Sequence, residues 1–191
     1  MKVAVINTKG GVGKTTTAIY LAVAAARSGL TTQVLDADPQ GSASGWADIA
    51  TEAGEPLPFE ILPANKVSIG KPSNCDFCVI DTPPGAADII QAAIDACDVA
   101  IVPTTPSGLD LQRVWPTLEV SAHKPAGVLL TSVELGTKLL ALTKEALEDE
   151  GVFVFANVIG KRQAIRQSFG TVPGNLYGYA DLLQELFEVT K

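Results

Sequence analysis

Seven short apolar runs recur along the chain, at residues 3–6, 33–35, 59–62, 77–80, 99–102, 127–130 and 152–155. Several are continuous rather than alternating, which is the pattern of a strand covered on both faces. Between most of them, apolar positions return at helical spacing over 16–27, 86–96, 109–122, 137–150 and 176–189. Strand alternating with helix implies right-handed crossovers and a mostly parallel, twisted sheet with helices on both faces. The expected fold is therefore α/β, one domain over residues 1–191, with no repeat or linker dividing it. Gly29 stands where the first helix should be capped, since glycine adopts the left-handed helix end without penalty. Residues 51–74 hold little helix-forming material, and their stretches 54–58 and 70–74 read as surface loops.

Two of these elements bracket a phosphate-binding pattern. Lys9-Gly10-Gly11-Val12-Gly13-Lys14-Thr15-Thr16 follows the run at 3–6 and opens the helix at 16–27. Backbone N–H groups of such a turn, and a helix end worth about half an elementary charge, converge on one anion. Lys14 can then reach the β- and γ-phosphates, and the Thr15 hydroxyl can ligate Mg²⁺. The usual pattern G-x-x-x-x-G-K-[ST] is not fully met. Thr8 stands at its first glycine, and Lys9 adds a second cation inside the loop.

Asp36-Ala37-Asp38-Pro39-Gln40 follows another short run, so both carboxylates project from a strand's carboxyl end. Open α/β sheets bind their ligands at that edge. Cys78-Val79-Ile80-Asp81 ends a further run in a carboxylate, the Walker B arrangement, with Asp81 binding Mg²⁺ through a water.

Size and charge narrow the reading. A chain of 191 residues, 47% hydrophobic, buries about 70% of its unfolded surface and needs no disulfide or metal staple. Three cysteines, an odd number, point to free thiols in a reducing, cytoplasmic setting. Lys2 already opens the first strand, so neither a targeting peptide nor an N-terminal DNA-binding extension is expected ahead of it. No apolar run approaches the roughly 20 residues of a membrane span. A net charge of −7 opposes wholesale coating of nucleic acid, yet leaves room for one local basic surface.

KGGVGKT at residues 9–15 resembles the KGGxGK[ST] signature of the deviant Walker A ATPases of the ParA/MinD superfamily. The resemblance covers essentially the whole chain and implies a P-loop NTPase with ATP and Mg²⁺ as cofactors. It implies a nucleotide cradle of Lys9, Gly10, Gly11, Val12, Gly13, Lys14, Thr15 and Thr16. It also implies that Lys9 reaches across a nucleotide-sandwich homodimer to the partner's ATP; a solvated loop lysine is the alternative. Residues 36–40 resemble the D-x-D-P-Q switch, in which Asp38 positions or polarises the attacking water beside the metal. There Asp36 supports the Mg²⁺ shell or the loop. Pro83-Pro84-Gly85 resembles the second switch, which senses the γ-phosphate.

Residues 102–110 resemble a proline-rich loop of the small, ParF-like plasmid partition proteins, which lies by nucleotide and subunit interface and brings in Pro106. Gly108 departs from that pattern, where a second proline is often found, and loosens the loop. Lys161, Arg162 and Arg166 form the densest basic cluster and share one face if the segment is helical. Family members hold DNA without sequence preference through a C-terminal basic surface, so these three, with Lys138 and Lys144, are the candidate phosphate contacts. Arg162 or Asn157 could instead line the adenine pocket, and a merely solvated face is the third reading.

Other features carry less. Cys75-x-x-Cys78 invites a metal or redox reading, but Cys78 falls in a buried strand and no histidine cluster completes a ligand set. His123 has no obvious partner, and Trp46 and Trp115 read as packing residues. Residues 181–191 place Leu182, Leu183, Leu186 and Phe187 at helical spacing among acidic residues. That composition suits a core-docking helix and opposes a membrane-surface one.

The leading expectation is a DNA partition ATPase, nucleoid-associated when ATP-bound. Its ATP dimer binds non-specific DNA and is released by hydrolysis that a ParB-like partner stimulates; polymerisation beyond the dimer stays open. The alternatives are a positioning ATPase for a non-DNA cargo and an amide-forming P-loop synthetase.

Overall fold

In the computed structural model, residues 1–190 are described. Six strands form one sheet: β1 (Lys2–Val5), β2 (Thr32–Asp36), β3 (Glu60–Pro63), β4 (Phe77–Asp81), β5 (Val99–Thr104) and β6 (Ala126–Leu130). Their order across the sheet is β3-β2-β4-β1-β5-β6, and every pairing is parallel. β1 sits centrally, with later strands added on both sides, so the turn that follows it lies at a topological switch point.

Continuous apolar runs become strands whose successive side chains enter two different cores. Val3 and Val5 of β1 face one cluster with Phe77 and Val79 of β4. Ala4 and Ile6 face the other with Cys78 and Ile80. Helices α1 (Lys14–Arg27), α2 (Ser42–Glu52) and α8 (Tyr179–Val189) cover the first face. Helices α3 (Lys66–Ile69), α4 (Ala87–Ala96), α5 (Gly108–Val120) and α6 (Lys138–Asp149) cover the second. The short α7 spans Gln163–Gln167. Residues 18–25 of α1 are all buried, because the helix is enclosed between the sheet and α8. Gly29 caps it as expected: at φ 86° it donates to Ala26, and Leu30 donates to Ala25.

Two expectations change. Residues 152–155 form no strand; they touch the sheet edge through one parallel bridge, Val128 to Val154. A Cβ on Gly127 would stand 2.6 Å from the Phe155 ring and 2.7 Å from that of Phe153, so the bare glycine admits both aromatics onto β6. The segment 51–74 holds little helix, as expected, beyond the end of α2 and the single turn of α3, which Asn65 and Ser68 start with a reciprocal cap. The last helix begins at Tyr179 rather than 176, after the left-handed Gly178 at φ 98°. Helix α2 is not foreshadowed by the apolar pattern; its buried face is only Ala43, Trp46 and Ala50, too sparse to mark a helical period.

Candidate nucleotide site

The strand register builds the site. Asp81 of β4 lies level with Val5 of β1 and Asp36 of β2, so the P-loop and both acidic strand ends meet at one edge. Gly11 (φ 78°) and Gly13 (φ 92°) take backbone conformations that side chains disfavour, which lets the loop curl tightly before α1. Gly13 is the N-cap of α1 and no side chain caps that helix, leaving its first N–H groups for a ligand. The Lys14 ammonium donates to the Lys9 carbonyl at 2.9 Å. Burial lowers the Lys14 pKa, against the attraction of Asp81 and Asp38.

Asp81 gives the clearest sign of a cation site. It is 1% exposed, and neither carboxylate oxygen has a hydrogen-bond partner among the described residues. Burial raises its pKa to about 7; the nearby Thr15 hydroxyl and the Lys14 charge counter this, while Asp36 and Asp38 add to it. A buried, orphaned carboxylate flanked by a second acid and a threonine hydroxyl is a hard oxygen donor set, and it fits Mg²⁺. The first-turn N–H groups and Lys14 fit the phosphates that such an ion accompanies.

The two aspartates of the first switch do different things. Asp36 is 3% exposed, and both of its carboxylate oxygens accept hydrogen bonds. Its Oδ2 accepts the Ser44 N–H (2.8 Å) and hydroxyl (2.7 Å), and its Oδ1 accepts the Asp38 N–H (3.2 Å). It thus ties the switch to α2, a loop-supporting role. Asp38 is partly exposed and accepts only the Gln40 N–H, at 2.9 Å, so its carboxylate keeps acceptor capacity near Lys14.

Lys9 is held on both sides. Its N–H donates to Asn7 Oδ1 at 2.9 Å, and Asn7 donates to the Pro103 carbonyl at 2.9 Å. Its ammonium pairs with Asp110 on the first turn of α5. Pro106 lines a cavity with Thr105, Ser132 and Leu139, next to Lys161 and Arg166.

Lys161, Arg162 and Arg166 do not share a helical face, because α7 starts after Arg162, which is its N-cap. The chain runs extended through Arg162, at φ −135° and ψ 136°, and turns helical only at Gln163. The three nevertheless converge. All line the cavity that contains Gly11, Gly13 and Thr16, and a wider cleft of about 520 Å³ beside it. Arg162 lies over the Tyr177 ring, 5.4 Å from its centroid, and Lys161 pairs with Glu134 at 2.8 Å. Arg162 thus stands where a base could stack. Asn157 does not: its amide donates to Glu185 Oε2 at 3.1 Å, and it lies outside the residues lining the P-loop cavity. Its side chain is thus placed against α8 in this structure.

Sequence reading missed Thr131, Ser132 and Tyr179. Thr131 donates to the Val12 carbonyl at 2.9 Å, fastening β6 to the P-loop, and Ser132 holds a positive φ of 53° where the cavity opens. Both follow the carboxyl end of a strand, which was the available signal. His123 also differs from expectation, since it pairs with Asp95 at 3.0 Å from across a helix end. Trp46 is buried as expected, edge-on to Tyr20, while Trp115 remains 38% exposed.

Comparison with known proteins agrees with this geometry. The family described as CobQ/CobB/MinD/ParA nucleotide binding domain matches residues 3–171. The "Maintenance of carboxysome distribution protein A" of Gloeobacter kilaueensis is 41% identical over 162 residues, spanning 80% of this chain and 73% of that protein. The chromosome-partitioning ATPase Soj of Thermus thermophilus is 30% identical over 212 residues, spanning 88% and 85%. The ATP complex of a Cyanothece McdA variant has the same fold at TM-score 0.79 and 19% identity, over 98% of this chain and 96% of that one. No helix among the described residues is long and apolar enough to cross a membrane. The P-loop, the two acidic strand ends and this match over most of the chain lead to one conclusion: the protein belongs to the CobQ/CobB/MinD/ParA family of P-loop ATPases.

Proposed function

We propose that this chain is a ParA-type positioning ATPase, in which ATP joins two copies and the joined form rides on DNA. The observation that carries this is Lys9, a second lysine inside a loop already completed by Lys14. One phosphate site has no need of both in the same subunit. The backbone of residues 10–16 and Lys14 hold the phosphates, while Thr15 and Asp81, with Asp38 beside them, hold Mg²⁺. The metal, when bound, neutralises charge developing on the β- and γ-oxygens. Asp38 orients the attacking water with its free acceptor capacity. The Pro83–Gly85 turn, following Asp81, senses whether the γ-phosphate is present, so hydrolysis ends the dimer and its DNA hold together.

The cargo is a DNA molecule in the leading reading, recruited by a ParB-like protein. A second reading, a protein compartment as cargo, is favoured by the 41% identical relative named for carboxysome distribution. DNA is the track in both. An amide-forming activity is the less favoured reading, since nothing in it calls for Lys9.

Lys161 and Arg166 are the proposed phosphate contacts. In a pelleting assay with nucleoid-length DNA, the ATP form is expected to bind and the ADP form not. Lys161→Ala or Arg166→Ala should weaken binding uniformly across sequences and lower the salt slope by about 1 for each cation removed. Nucleotide affinity is measured alongside, because both residues line the P-loop cavity. Equal DNA binding in ADP and ATP contradicts the proposal.

A further inference from the structure

We infer that Asp110 is an intramolecular latch for Lys9, a positioning residue that keeps the loop lysine in its own subunit until a second copy arrives. This rests on the proposed role of Lys9 between subunits and adds what opposes it.

The geometry is specific. The Asp110 side chain is 6% exposed, whereas that of Lys9 is 41% exposed. One carboxylate oxygen accepts the Lys9 ammonium, and the other accepts the Thr105 hydroxyl. Asp110 lies in the first turn of α5, where Ser107 caps the helix through the Asp110 N–H, so the positive helix end also favours the carboxylate. The contact bridges 101 residues of sequence and joins the P-loop to the segment after β5 that carries Pro106.

Such a pair holds two states in balance. An ammonium cannot lie on Asp110 and on a partner's nucleotide together, so self-association has to break this contact. Breaking it strands a buried carboxylate, which costs free energy. Thr105 and the α5 terminus remain to stabilise that carboxylate, so the cost is reduced rather than prohibitive. The latch therefore sets a concentration threshold for pairing. A neighbouring triphosphate's negative charge also competes with Asp110 and can draw Lys9 away.

The test is Asp110→Asn, which keeps the size and an acceptor for Thr105 but removes the charge that holds Lys9. Sedimentation velocity is run with Mg²⁺ and a non-hydrolysable ATP analogue. Asp110→Asn should pair at a concentration at least five-fold below that of the unaltered protein, and the Lys9→Ala, Asp110→Asn double variant no better than Lys9→Ala. A second measurement probes the contact directly. In nucleotide-free protein, acetylation by an N-hydroxysuccinimide ester should be several-fold slower at Lys9 than at exposed Lys138, and should reach the Lys138 rate in Asp110→Asn. If the unaltered protein pairs and Asp110→Asn pairs equally or less well, the latch is wrong while the dimer stands. If neither protein pairs, the proposed function fails and takes the latch with it. If Asp110→Asn does not fold, the unaltered protein decides: Lys9 acetylating as fast as Lys138 overturns the latch, and slow acetylation supports it.

Discussion

Lys14→Ala should abolish nucleotide binding, with affinity falling by at least about 100-fold. Lys14 is buried at the head of α1, and its ammonium is the charged donor that the P-loop presents beside the backbone N–H groups. A charge-assisted hydrogen bond contributes about 1.5–3 kcal/mol, and removing two to phosphate oxygens amounts to a factor of about 10² to 10⁴. Substituting Lys14 also takes the nearest cation from Asp81 and Asp38, so the effect is not confined to the ligand. Calorimetric titration with Mg²⁺ and ATP measures it, with circular dichroism as the folding control. Binding within about ten-fold of the unaltered protein would mean that the phosphates lie elsewhere.

Asp38→Ala should behave in the opposite way: ATP stays bound, turnover falls by about 10² to 10³, and the paired form accumulates. The reason is a division of labour at the end of β2. Asp36 accepts three hydrogen bonds, two from Ser44 and one from the Asp38 N–H, and so braces the loop, while Asp38 spends one acceptor on Gln40 and keeps the rest. Truncating Asp38 removes one local turn bond of part-exposed character and leaves the P-loop bonds in place. Single-turnover phosphate release and size-exclusion chromatography in ATP read the two effects. Hydrolysis at the unaltered rate would remove Asp38 from the chemistry.

The phosphate side was legible because its chemistry is local. Gly11 and Gly13 need their own backbone angles, Lys14 its own reach, and Asp81 its place at the end of its own apolar run, so each mark is read from a few neighbouring residues. What stayed hidden depends on partners far along the chain. Nothing near Asn157 in the chain marks its contact with Glu185 of α8, 28 residues on. His123 looked solitary until Asp95 came within 3.0 Å, and Asp110 had no visible task until α5 brought it to Lys9. Helix α2 was missed for a different reason, since it buries small residues and one tryptophan, which give no strong period. Residues 152–155 read as a strand from their composition, yet they meet β6 through a single bridge, where two phenylalanine rings lie against the bare Gly127.

The basic cluster falls between these cases. Its charge was evident, while its position in the cleft beside the P-loop was not. That placement sets Lys161 and Arg166 on the cavity that the P-loop glycines also line.

At the centre of the proposed mechanism is Lys9, as a cation that one protomer would carry for the other's triphosphate. Sedimentation velocity of the unaltered protein and Lys9→Ala, each with Mg²⁺-ATP analogue and with Mg²⁺-ADP, tests that directly. A dimer is expected only for the unaltered protein in the triphosphate state, with Lys9→Ala monomeric throughout although it still binds nucleotide. A dimer of Lys9→Ala that forms with triphosphate as readily as the unaltered protein's would contradict it.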